Sequence, residues 1–154
     1  VRILLPRSTK SLPVAPKRED VPAARPGLKV LLVEDNPHVL AFAEQLLGDM
    51  RCDVASAPTG DRALELLDGG LEVELLFADV VMPGLSGVEL AHEVRQRFPL
   101  MPIVLATGYS DEILSGAGAG FEVLRKPYDS ESVARAIVKA IEAAERKDAR
   151  APAP

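Results

Sequence analysis

The chain has 154 residues, enough for one ordinary domain plus tails, and 47% of them are apolar with 4% aromatic and no Trp, so Leu, Val, Ala and Ile must fill its core. Its net charge of −5 is unevenly spread: residues 1–29 carry seven Lys or Arg against two acids, and residues 30–154 carry eleven against twenty-one. An acidic body is a poor nucleic-acid binder, because phosphate neutralisation needs Lys and Arg, and the Pro content of the basic segment reads as a linker before a DNA contact; a single cysteine, Cys52, excludes an internal disulfide or Cys-rich metal site, and no apolar run approaches the roughly 20 residues of a membrane span.

Residues 1–7, VRILLPR, are a short apolar opening without the cleavage pattern of a signal peptide. Residues 8–27 hold Pro13, Pro16, Pro22 and Pro26 among Ser, Ala and charged side chains, and read as a basic linker that cannot offset its own folding entropy. A nearly continuous apolar run at 29–33 predicts a strand buried on both faces. Residues 37–47 put Val39, Leu40, Ala43, Leu46 and Leu47 on one helical stripe, which Gly48 is expected to end. A strand follows at 53–56. The helix expected at 59–67 opens on Thr59 as N-cap, groups Ala63, Leu64 and Leu67, and stops at Gly69 and Gly70. After a strand at 75–78, the helix of 86–98 starts on a capping box of Ser86 and Glu89 and ends before Pro99. Another strand is expected at 103–106. Gly116, Gly118 and Gly120 leave room only for a short helix near 111–114, so residues 108–120 are expected to be the most mobile part of the body. A strand at 122–124 and a helix at 130–146, repeating Val133, Ala134, Ile137, Val138 and Ile141, complete the pattern. Residues 147–154 read as a disordered tail.

Strands alternating with helices at this pitch imply a parallel sheet with right-handed crossovers, one domain over 28–146. Ligands of such sheets bind at the carboxyl ends of the strands. There stand Glu34 and Asp35 after the first strand, Asp79 after the third, Thr107 after the fourth and Lys126 after the fifth. Three carboxylates packed together repel one another, and a divalent cation removes the conflict. With oxygen donors and no His or Cys, that cation would be Mg2+. A carboxylate beside Mg2+ can attack phosphorus to give an aspartyl-phosphate, with Lys126 and Thr107 placed to steady the phosphoryl oxygens. Singly, each residue has a plainer reading: Asp79 as a loop carboxylate, Lys126 as surface, Thr107 as a strand-end hydroxyl. Their joint occurrence at successive strand ends is what points to chemistry.

The blocks LLVEDNP, FADVVMPGLSGVEL, VLATGY and LRKPY resemble the signature blocks of bacterial response-regulator receiver domains, over residues 28 to about 146. The resemblance implies a flavodoxin-like three-layer α/β/α fold with a five-stranded parallel sheet of order 2-1-3-4-5. It implies Asp79 as phosphoacceptor and Asp35 as a direct Mg2+ ligand, with Glu34 acting through water and the Val81 backbone carbonyl completing the protein ligands. Thr107 and Lys126 would be the switch hydroxyl and the phosphate-contacting lysine. A cis Lys126–Pro127 bond is implied too, and Pro83 and Gly84 match the turn into the third helix. The phosphodonor would be a histidine kinase or histidine phosphotransfer domain, making the chain a phosphoacceptor rather than a conventional enzyme. In one respect the sequence departs from the family: Val123 stands where the family often has the aromatic residue coupled to the threonine. Output is therefore expected to run through the loop after Asp79 and the Gly-rich segment. Val81 and Tyr109 would frame the path of a hydrolytic water, and neither is a base, so a long-lived phosphoryl group is expected.

Residues 1–7 also resemble the last strand of a sensor-kinase ATP-binding domain. With the linker they suggest the carboxyl-terminal receiver of a hybrid sensor histidine kinase, cytoplasmic although the parent kinase could be membrane-anchored. Other readings are a leader or cloning remnant before a stand-alone regulator and, for the domain, a phosphorylation-independent scaffold or interaction module. A dehalogenase-type phosphatase would need a second Asp where Val81 stands, and a nucleotide-binding module would need a Gly-rich loop where the acidic VEDNPHV stands. His38 and His92 read as solvated helix residues, and Cys52 as a small buried hydrophobe.

Overall fold

The computed structural model describes residues 25–108, 116 and 118–152. Residues 1–7, expected as a strand, the linker as far as residue 24, Tyr109 and the short helix expected at 111–114 lie outside them. Five strands, β1 (Lys29–Val33), β2 (Asp53–Ala57), β3 (Leu75–Asp79), β4 (Ile103–Thr107) and β5 (Glu122–Arg125), form one sheet in the order β2-β1-β3-β4-β5. Every neighbouring pair is parallel. This is the strand order the resemblance implied.

Four described helices cover the two faces: α1 (Pro37–Asp49), α2 (Gly60–Asp68), α3 (Gly87–Arg97) and α4 (Ser130–Arg150). Alternate residues of the central strands feed two separate cores, as the period-two geometry of a strand requires. Val30, Leu32, Leu75, Phe77 and Val104 pack with Leu47 of α1 and Ile137 of α4. Leu31, Val33, Leu76, Ile103 and Leu105 pack with Ala63 and Leu67 of α2 and Leu90 and Val94 of α3. The fold is therefore a three-layer α/β/α sandwich whose central strands are buried on both sides, which is why β1, β3 and β4 read as unbroken apolar runs.

Caps set the helix starts. Asn36 Oδ1 accepts from the backbone N–H of His38 and Val39, and Thr59 Oγ1 from that of Arg62. Ser86 and Glu89 form the expected reciprocal box, and Asp129 and Ser132 form a second one. Two helix ends differ from expectation. Gly48 lies inside α1, and the turn that closes the helix is made by Arg51, left-handed at φ 62°, whose N–H donates to the Gly48 carbonyl. Likewise α4 runs to Arg150 rather than 146, taking in residues of the expected tail. Ala, Glu, Lys and Arg all favour helix there, and Lys147 and Arg150 in the last turn complement the helix dipole.

Candidate functional site

Because all five strands run the same way, their carboxyl ends share one edge, and the register fixes what meets there. Val33 pairs with Ala78, Asp79 with Ala106, and Thr107 with Arg125. Residues directly after β1 and β5, together with the last residues of β3 and β4, therefore converge across more than ninety positions of sequence. Carboxylate oxygens of Glu34, Asp35 and Asp79 all lie within 4.8 Å of one another. Lys126 Nζ stands 3.0 Å from Glu34 Oε2 and 3.1 Å from Asp79 Oδ1. The other Glu34 oxygen accepts from the Asn36 backbone N–H at 3.1 Å. Lys126 is held in turn by its own N–H, which donates to the Thr107 carbonyl at 2.8 Å. The Lys126–Pro127 bond is cis, as the resemblance implied.

Glu34, Asp79 and Thr107 are buried and Asp35 is exposed, so the cluster opens to solvent on the Asp35 side. Burial pushes the Asp79 carboxyl above the usual range, against the opposing pull of Lys126 and the Val81 backbone N–H. Burial likewise raises Glu34, and neighbouring Asp79 adds to the effect. For Lys126, burial acts to lower the ammonium pKa, but the hydrogen bonds it donates to Glu34 and Asp79 outweigh it and the net direction is upward. Three carboxylates against one ammonium leave an excess of two negative charges when all are ionised. A divalent cation matches that excess, and an all-oxygen donor set suits Mg2+.

Two residues outside the sequence-derived set shape the site. Gly87, the first residue of α3, lies against the end of β3. A Cβ there would fall 2.7 Å from the Asp79 carbonyl carbon and 2.9 Å from the Val80 Cα. The Gly87 N–H donates to the Val80 carbonyl at 3.0 Å, tying the helix start to the acceptor strand. Glycine directly after an N-cap serine was the available signal. Tyr128 packs edge-on to Phe77 with centroids 5.8 Å apart and lies 6.0 Å from the ring of Phe42 on α1. Its place in LRKPY was visible; its partners, distant in sequence, were not.

The remaining candidates fall as follows. Val81 lies in the loop after β3 with its side chain 49% exposed. Gly84 in the same loop has φ +77°, a conformation that favours glycine. His92 is exposed, with its ring edge-on to Phe121 at 5.1 Å. His38 is exposed and outside the carboxylate cluster. Cys52 is half-buried against the α1–α4 core, and burial raises its thiol.

A family model described as the response regulator receiver domain matches residues 30–138. The chain belongs to that family. It is 30% identical over 148 residues to the sensor kinase CckA of Brucella abortus, a match covering 92% of this chain and 16% of that protein. It is 35% identical over 104 residues to the response regulator PilR of Pseudomonas aeruginosa, covering 66% of this chain and 23% of that protein. The receiver thus spans a quarter or less of these curated relatives. Among solved structures, a receiver domain protein from Clostridium thermocellum superposes with a TM-score of 0.68 at 28% identity, over 79% of this chain and 98% of that one. A receiver protein from Sinorhizobium medicae gives 0.71 at 25% identity, over 77% and 97%. Among the described residues, no helix is long and apolar enough to cross a membrane.

Proposed function

We propose that this receiver domain accepts a phosphoryl group on Asp79 from a phosphohistidine, with Mg2+ as cofactor. The observation that carries the reading is the contact of Lys126 with both Asp79 and Glu34, inside a cluster of three carboxylates whose excess charge a divalent cation would balance. Glu34, Asp35, Asp79 and the Val81 carbonyl would hold the ion. When bound, it would draw charge from the phosphoryl oxygens and offset the repulsion between the carboxylates.

The chain's own groups do the rest. An Asp79 carboxylate oxygen attacks phosphorus and forms the new O–P bond. The P–N bond to the donor imidazole breaks, its electron pair stays on nitrogen, and that nitrogen takes up a proton. Lys126 gives its ammonium to the arriving phosphoryl oxygens, and its anchorage to the Thr107 carbonyl pre-sets that position. The Thr107 hydroxyl donates to another of those oxygens. Burial of Asp79 withholds competing water from the acceptor oxygen.

The domain belongs, on this reading, to a hybrid sensor histidine kinase in the cytoplasm. Residues 1–7 would close the kinase domain, and residues 8–27 would link the two. The CckA match supports it, because it covers 92% of the chain, whereas the PilR match covers 66%. Similarity to the sensor kinase thus reaches beyond the receiver into the N-terminal segment. The donor is a phosphohistidine of a kinase or phosphotransfer domain.

Titration with Mg2+ and BeF3−, followed by amide NMR, tests the site. Shifts are expected at residues 79–82, 107 and 126, and none of them in Asp79→Asn. A phosphorylation-independent scaffold would show no response in either protein.

A further inference from the structure

At the opposite pole from Asp79, where the strands begin, the surface holds an apolar groove of about 580 Å³. Leu28 and Val73 line it from the sheet side, Phe98 and Leu100 from the turn after α3, and Ile141 from α4. Phe98 is 36% and Leu100 48% exposed, among the few large apolar side chains left open on the described surface. Exposed apolar side chains gathered in one concavity mark a binding surface more often than scattered ones do. Arg25, where the described chain begins, is itself part of the wall, tied to Glu74 at 3.6 Å. The chain therefore delivers its preceding residues to the rim of the groove.

We infer that the groove is the docking site of this chain's own linker, residues 12–18. That stretch reads Leu-Pro-Val-Ala-Pro-Lys-Arg. Its two prolines favour an extended polyproline conformation, and such segments lie in grooves lined by aromatic and proline side chains; Phe98, Pro99 and Pro102 provide those here. Leu12 and Val14 offer apolar surface to Leu100 and Ile141. The closing Lys17 and Arg18 suit Glu145 and Asp148 of α4, which stand at the groove and make no ion pair among the described residues. Only residues 19–24 separate the stretch from Arg25, and six residues extend up to about 20 Å. So short a tether keeps the local concentration near the millimolar range, and weak contacts suffice. Docking would set the angle at which the receiver leaves whatever precedes it. The inference does not rest on phosphoryl chemistry at Asp79.

Limited trypsin digestion of the full chain tests this, with cleavage at Lys10, outside the stretch, as internal reference. Where opening is fast, cleavage follows the open population. Cleavage at Lys17 and Arg18 relative to Lys10 should rise about tenfold in Leu100→Asp, for a linker docked about nine-tenths of the time. Val14→Ser, which leaves the folded body untouched, should give the same rise. Ratios within twofold of one another in all three proteins would overturn the inference. So would protection in the unmodified chain that grows with protein concentration alongside dimer formation in sedimentation, since a second copy would then fill the groove.

Discussion

Gly87 begins α3 in contact with the backbone of Asp79, so close that one added carbon would stand 2.7 Å from the Asp79 carbonyl carbon. In a free helix, Gly→Ala gains up to about 1 kcal/mol. Here the sign reverses, because the obstacle is backbone and cannot rotate away. Gly87→Ala is expected to cost about 1–3 kcal/mol in urea unfolding, the range of overpacked cores. Its residual folded protein should be phosphorylated more slowly, since the loop carrying Val81 must move with Asp79. Unchanged stability would show that the helix start yields freely.

Clustered carboxylates make Asp79 a liability in the absence of metal. Asp79→Asn removes one of three like charges within 4.8 Å and keeps the shape. Without Mg2+ the variant should melt no lower than the unmodified chain and is expected to melt higher. Added Mg2+ should raise the Tm of the unmodified protein and do much less for the variant. Equal Mg2+ responses in the two proteins would place the ion elsewhere.

The pH dependence has opposing parts. Glu34 and Asp79 have folded pKa values raised above their ordinary 4.5 and 3.8. A raised carboxyl contributes stability that is fully present below its unfolded pKa and is lost as pH rises through the folded one. The capping carboxyls Glu89 and Asp129 are lowered, chiefly by backbone N–H bonds from Ser86 and Ser132, and act the other way. Their contribution is present above the ordinary values and is lost as pH falls through the folded ones. Metal-free protein should therefore gain stability on mild acidification and lose it again below about pH 4. Mg2+ affinity should fall over the same mild acid range, as protons compete for Glu34 and Asp79. Denaturant midpoints with EDTA and with Mg2+, measured across pH, separate the two effects; parallel curves would contradict the account.

Two residues after Asp79, Val81 presents an exposed apolar side chain and no base. An aspartyl-phosphate in the isolated domain should accordingly persist for minutes or longer. Val81→Glu sets a carboxylate beside the path of the water and is expected to shorten that lifetime at least several-fold, since a positioned base can contribute about a hundredfold or more. Decay within seconds in the unmodified domain would contradict the reading of this position.

Much of the fold was legible because burial on both faces leaves β1, β3 and β4 as apolar runs, and because serine, threonine and aspartate mark helix starts chemically. The convergence of Glu34, Asp79 and Lys126 was legible for a different reason: parallel strands put all their ends on one edge, whatever their spacing in sequence. Harder to see were contacts that depend on how closely layers approach. Gly87 reads as a weak helix former until β3 lies beneath it, and Tyr128 as one more aromatic until Phe42 and Phe77 flank it. The end of α1 misled because Gly48 is a common stop signal, whereas here Arg51 adopts the left-handed turn itself. The continuation of α4 to Arg150 reflects the helix propensity of a charged, alanine-containing stretch that composition alone marks as a tail.

The account stands on Asp79 as the acceptor, and intact-mass spectrometry addresses that directly. After incubation with acetyl phosphate and Mg2+, the unmodified chain should gain the mass of one phosphoryl group, lose it on treatment with hydroxylamine, and show no gain with EDTA. Asp79→Asn should gain nothing under the same conditions. No mass gain in the unmodified chain, or an equal gain in the variant, would contradict the central claim.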